Sequence, residues 1–201
     1  MPSIPSPSLR PGHPARCRPA RPARPQGARG FTLIELLVAL AIVVTLSVLA
    51  APSLSNMLRV NRTAAEANRF VADLQFARSE ALQRGQSVVI CPSSNGTSCL
   101  TTNTWHSGWI AFVDVNGNGT LDSASEPVVR RAVAFSGTDT LVATPSTTSL
   151  VFNREGFTGG LTASVSLKVA TSPAYNAAKR CITIARTGRQ KVVNYDGSSC
   201  T

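Results

Sequence analysis

The chain has few of the residues that catalytic chemistry needs. Beyond residue 30 it holds one histidine, His106, and nowhere does it read G-x-S-x-G, H-E-x-x-H, G-x-G-x-x-G or as a P-loop. Those patterns supply the nucleophile, the metal or the phosphate cradle of common enzyme classes, so neither catalysis nor a cofactor is expected. Aromatic residues make up only 5% of the 201 positions. No array of rings is present on which bases stack, and no recognition helix accompanies the basic segments, which argues against base readout. Acids are scarce too, 10 against 20 lysines and arginines. Residues 1–30 contain no acid and six arginines (10, 16, 18, 21, 24 and 29), which take +6 of the formal +10 and leave +4 for the rest. That remainder favours polyanions only modestly.

Charge is also missing where the chain is most apolar. From Phe31 to Ala51 the only ionisable side chain is Glu35. A helix of about 21 residues, rising roughly 1.5 Å per residue, crosses the roughly 30 Å hydrocarbon core of a bilayer. A carboxylate early in such a helix is costly and calls for a partner. Cleavage after Gly30 would provide one, because the new α-amine of Phe31 is a counter-charge for Glu35 of a neighbouring copy. A plain signal anchor also shows an arginine before an apolar run, and a removable secretory signal would be cut near Ala50 or Ala51. Neither requires Gly30-Phe31-Thr32-Leu33-Ile34-Glu35.

Arg29-Gly30-Phe31-Thr32-Leu33-Ile34-Glu35-Leu36-Leu37 resembles the class III signal of type IV pilins and pseudopilins. The resemblance implies a prepilin peptidase cutting between Gly30 and Phe31 and N-methylation of Phe31. It also implies that Glu35, fifth in the mature chain, guides packing of subunits in a filament. Pro52 lies where many members of that family kink the same helix.

Four segments follow. Residues 1–30, rich in proline and arginine, are expected to be a disordered cytoplasmic leader whose charge sets orientation by the positive-inside rule. Residues 31–52 are the transmembrane and filament-core helix, and 53–85 its amphipathic continuation. There Val60, Ala64, Ala67, Val71, Leu74, Ala77 and Ala81 recur at three- and four-residue steps, with Gly85 as the stop. Arg62–Glu66 and Glu80–Arg84 are read as four-apart ion pairs on exposed faces. Residues 86–201 form a β-rich periplasmic head. Strands are expected at 87–91, 109–115, 127–135, 149–153, 164–170, 181–185 and 191–196, separated by the turn chemistry of PSSNGTS, NGNG, SGTDT, TGG and TGRQ. The fold class is therefore α+β, a long N-terminal helix packed on one or two antiparallel sheets, which is also the type IV pilin fold.

Cys17 lies in the leader. Cys91, Cys99, Cys181 and Cys200 lie in the segment sent to the oxidising periplasm, where two disulfides are expected. Four cysteines allow three pairings, of which the local one, Cys91–Cys99 with Cys181–Cys200, is preferred. No C-x-x-C spacing or flanking histidine supports zinc. The segment from Asp114 through Asn116, Asn118, Gly119, Thr120 and Asp122 matches positions one to nine of an EF-hand loop, but its closing acid, Glu126, comes one residue late and strands flank it. It is either a calcium loop or an Asn-Gly hairpin.

The head narrows the resemblance to the group that joins minor pseudopilin H of type II secretion with the fimbrial-T-type minor pilins. The shared features are the VVICPSS strand and its following cysteine, the GWIAFVD-NGNG-D segment, and a late cysteine followed by Thr-Gly-Arg; with the N-terminal signal, the resemblance covers residues 29–200. Fimbrial-T-type pilins bind DNA in natural transformation through a C-terminal Gly-Arg-x-Arg motif. Gly188-Arg189-Gln190-Lys191 matches it with lysine in the last place, keeping the charge but losing arginine's planar fork. Arg186, Arg189 and Lys191 flank one turn and are the expected phosphate contacts. The resemblance thus implies a DNA-binding minor pilin or, alternatively, a structural subunit of the secretion pseudopilus. Its partners would be other pilins, the peptidase, the inner membrane and, in the first case, DNA.

Overall fold

The computed structural model describes residues 30–161, 163–198 and 200; the leader expected over 1–29, including Cys17, lies outside them. The chain divides into two units, residues 1–43 and 44–201. One helix, α1, runs through Leu33–Arg84, 52 residues with Pro52 inside it. Thr32 starts it as an N-cap, its hydroxyl accepting the Glu35 backbone N–H at 3.3 Å. Every described side chain over 31–48 is exposed, and this end of α1 is long and apolar enough to cross a membrane. Solvation by lipid or by other subunits is what such a surface requires.

The second unit packs the rest of α1 against two antiparallel sheets. The first has strand order β3-β2-β1-β5-β6, built from β1 (Ser87–Pro92), β2 (Gly108–Asp114), β3 (Val128–Val133), β5 (Leu150–Phe152) and β6 (Thr158–Gly159). The second has order β4-β7-β8-β9, built from β4 (Thr140–Thr144), β7 (Val165–Ala170), β8 (Arg180–Ile184) and β9 (Gln190–Asn194). β4 and β6 fall wholly or partly in segments expected to be turns. β6 is two residues long, one of them glycine, too short to show a period, and it exists because Thr158 and Gly159 pair with Phe152 and Val151. β4 does alternate, with Leu141 and Ala143 buried between exposed neighbours.

The apolar stripe of α1 lies inward through Ala67, Leu74, Ala77 and Ala81. Three alanines bring the helix backbone close to the sheets, and Phe70 fills the wider space between them. Its ring meets Trp105 and Trp109 edge-on at 5.4 and 5.0 Å, the geometry that aromatic quadrupoles favour. Two buried carboxylates share this face. Asp73 accepts the Trp109 indole N–H at 2.9 Å and Arg130 Nε at 2.7 Å. Glu66, only 7% exposed, corrects the expected surface pair with Arg62. Arg62 instead grips Asp139 with two bonds of 2.6 Å. The second expected pair, Glu80–Arg84, does form.

Candidate functional site

The β8–β9 hairpin carries the cationic residues singled out in the sequence. Its strands pair from Arg180↔Asn194 to Ile184↔Gln190. The turn beyond them closes by Ala185 N–H to Arg189 O and Gly188 N–H to Ala185 O, both 2.9 Å. Arg186, Arg189 and Lys191 are exposed, and among the described residues their side chains make no ion pair or hydrogen bond. The other cations near the core are committed: Arg62 to Asp139, Arg130 to Asp73, and Arg78 to backbone carbonyls.

Gly188 is required twice over. Its φ of +75° is left-handed, and a Cβ there would collide with the Gly156 carbonyl and crowd Arg78. Only glycine meets both conditions at low cost. Arg78 of α1 reaches across to donate to the carbonyls of Gly188 and Thr187, both at 3.3 Å. Thr158 of β6 donates its N–H to Arg186 O and its hydroxyl to Ala185 O. The turn is thus held by the helix and by the first sheet, so its free cations project from a fixed backbone. Nothing in the sequence near the hairpin announces Arg78 or Thr158; they are distant in the chain and act through main-chain atoms.

Each remaining candidate has its own place. Gly30, Phe31 and Glu35 lie in the first unit, where Gly30 and Phe31 precede the helix and Glu35 is the third residue after the cap, a stable place for a carboxylate. Thr32-x-x-Glu35 is a capping-box spacing, so the cap was available as a sequence signal. Cys91–Cys99 closes the loop after β1, and Cys181–Cys200 ties the C-terminal segment to β8. In the loop after β2, Asp114 accepts the N–H groups of Gly117 and Gly119, Asn116 that of Asn118, and Asn118 that of Thr120. Asp122 accepts the N–H of Ala124, and Glu126 those of Val115 and Asp122. These oxygens therefore already hold a long loop together, in place of a tight Asn-Gly hairpin. Among the described residues no set of three or more His, Cys, Asp and Glu groups converges as a metal site.

Comparison with protein families decides the affiliation. The family profile described as Type II transport protein GspH matches residues 66–188. The chain belongs to this family. The GspH match spans the last part of α1, the first sheet and strands β4, β7 and β8 of the second, ending at Gly188 in the turn before β9, and a second profile, the prokaryotic N-terminal methylation motif, matches residues 26–51. Together they place this GspH-family chain among the pilins and pseudopilins, a family of structural subunits. A crystal structure of the type IV minor pilin FimU of Pseudomonas aeruginosa strain PAO1 is similar in fold, with TM-score 0.55 and 19% identity over 70% of this chain and 96% of that one. A second crystal form of FimU gives 0.52 and 19%, over 69% and 99%. The minor pseudopilin EpsH of the Vibrio cholerae type 2 secretion system gives 0.46 and 10%, over 66% and 97%. A search of curated proteins finds no match.

Proposed function

We propose that this chain is a minor pilin of a type IV pilus that binds DNA non-specifically through the β8–β9 hairpin and serves DNA uptake in natural transformation. The supporting observation is a contrast among the arginines: from Arg62 to Arg180 each described one meets a carboxylate or a backbone carbonyl, whereas Arg186 and Arg189, with Lys191, stand exposed and, among the described residues, unpaired on a clamped turn. A turn already held in place loses little backbone entropy when its cations meet phosphate oxygens, and those cations release counterions from DNA. On this reading the prepilin peptidase cuts between Gly30 and Phe31, Phe31 is methylated, and residues 31–52 hold the subunit in the inner membrane with the head in the periplasm. Glu35 then pairs with the amine of a neighbouring pilin.

A second reading, the structural pseudopilin of type II secretion, draws support from the description of the matched family. A gel shift separates the two. Full-length chain in detergent, mixed with duplex DNA at low and moderate salt, should bind in a salt-sensitive way. Arg189→Gln with Lys191→Gln should remove most of that binding. Absence of binding, or binding indifferent to the two changes, would favour the pseudopilin.

A further inference from the structure

Between Glu155 and Asp196 the chain has no carboxylate side chain, yet it holds Lys168, Lys179, Arg180, Arg186, Arg189 and Lys191. Strand register sorts these cations by face. Leu141, Leu167 and Ile182 point into the core. Directly opposite residues share a face in an antiparallel pair, so the alternate positions face outward. Lys168 pairs with Cys181, and Thr183, two residues along β8, pairs with Lys191. Lys168 and Lys191 therefore occupy the same outer face of the second sheet.

The Cys181–Cys200 disulfide pins the C-terminal segment beside this face. That brings Tyr195 next to two lysines: Nζ of Lys179 lies 5.0 Å and Nζ of Lys168 6.0 Å from the ring centroid. An aromatic face attracts ammonium groups, so one ring draws together two like charges that would otherwise spread apart. Beside them is a cavity of about 290 Å³, lined by Lys168 and the hydroxyl-bearing Thr144, Ser166 and Ser198. Ammonium and hydroxyl donors together suit phosphate oxygens. The next acid, Asp196, is engaged with the N–H and hydroxyl of Ser198.

We propose that Lys168 and Lys179, gathered on Tyr195, form a second phosphate-binding station, and that duplex DNA lies along β9 from the hairpin tip to this station. The inference rests on the DNA-binding reading above and extends its footprint. From Arg189 to Tyr195 is six residues, about 20 Å at the rise of an extended strand. That is about six base pairs of duplex, a length over which five cations each find a phosphate.

The test is fluorescence anisotropy of a labelled 20-base-pair duplex with full-length chain in detergent, titrated between 50 and 200 mM salt. Five phosphate contacts give a log–log salt slope near about −4.5, and loss of two leaves about −2.7. Lys168→Gln with Lys179→Gln should therefore flatten the slope, so that over this range the unaltered chain weakens about 12-fold more than the variant. Tyr195→Leu should shift the slope in the same direction, and Tyr195→Phe should leave it unchanged. If the lysine variant keeps the original slope while Arg186→Gln, Arg189→Gln, Lys191→Gln abolishes binding, the hairpin stands alone and the second station is overturned. If the lysine variant binds DNA normally but drops out of filaments, the lysines face a neighbouring pilin, and the inference fails in that way. If the unaltered chain binds no DNA, the function proposed above fails and takes the station with it.

Discussion

Glu66 is a carboxyl group with an unusual position. It faces the core from α1, its Oε1 accepts a long bond of 3.5 Å from the Ser136 hydroxyl, and among the described residues no donor reaches its Oε2. Burial, first, and the nearby Asp139 carboxylate, second, push its pKa up to about 7, against the pull of Arg62. An unfolded glutamate ionises near about 4.3. Between that value and about 7 the folded chain therefore holds a proton that the unfolded chain has released, and stability declines as pH rises through the window. Glu66→Gln keeps the size and removes the titration. The fall in melting temperature from pH 5 to pH 8 should shrink in this variant, as followed by circular dichroism. An undiminished fall would assign the pH dependence to another group. The sequence placed Glu66 one turn from Arg62 and read a surface pair. Asp139, 77 residues beyond Arg62 and bonded to it, overrides that local pairing, and a four-residue window cannot see it.

At the scale of elements, α1 is joined to the first sheet by more than apolar contact. Asp73 binds β2 through Trp109 and β3 through Arg130. Asp73→Ala leaves the indole N–H buried without an acceptor, a loss of about 1–3 kcal/mol. Arg130 is half exposed and regains water, so it adds little. Asp73→Asn keeps a carbonyl oxygen for the indole and should lose about half as much. Urea unfolding of the two variants measures the difference, and equal losses would show that the charge, rather than the acceptor, holds the joint. Elements with a strong period were readable in advance: α1 ends at Arg84 as the stripe and Gly85 indicated, and the seven expected strands are all present. β6 was not readable, because two residues acquire strand geometry only by pairing with β5.

For the whole molecule, the proposed processing and assembly are open to direct measurement. Mass analysis of membrane-extracted protein should find an N-methylated Phe31 at the amino terminus, and a start after Ala51 would remove the pilin processing. Glu35→Ala should insert into the membrane as before yet fail to enter filaments, scored by fractionating sheared pili against membranes. Normal incorporation would show that the carboxylate does not pair with a neighbour's amine. Its place near the start of α1 is not a preference for lipid, since a charge in the hydrocarbon region costs several kcal/mol. A cap from Thr32 and the helix dipole lessen that cost only in part.

Length, apolar run and turn chemistry, all local quantities, determined the long helix, the β-rich head and the motif 30–35. They also placed three exposed cations about one turn, since the period of a helix or strand and the reach of a hairpin are properties of adjacent residues. Only the tertiary structure decided what holds that turn and what lies beside it. Arg78, Thr158 and Gly156 meet the hairpin from three distant segments, and sheet register with a disulfide brings Lys168, Lys179 and Tyr195 together. Main-chain carbonyls and a ring between two lysines leave no periodic trace in a sequence; their energy depends on separations in space that folding alone establishes.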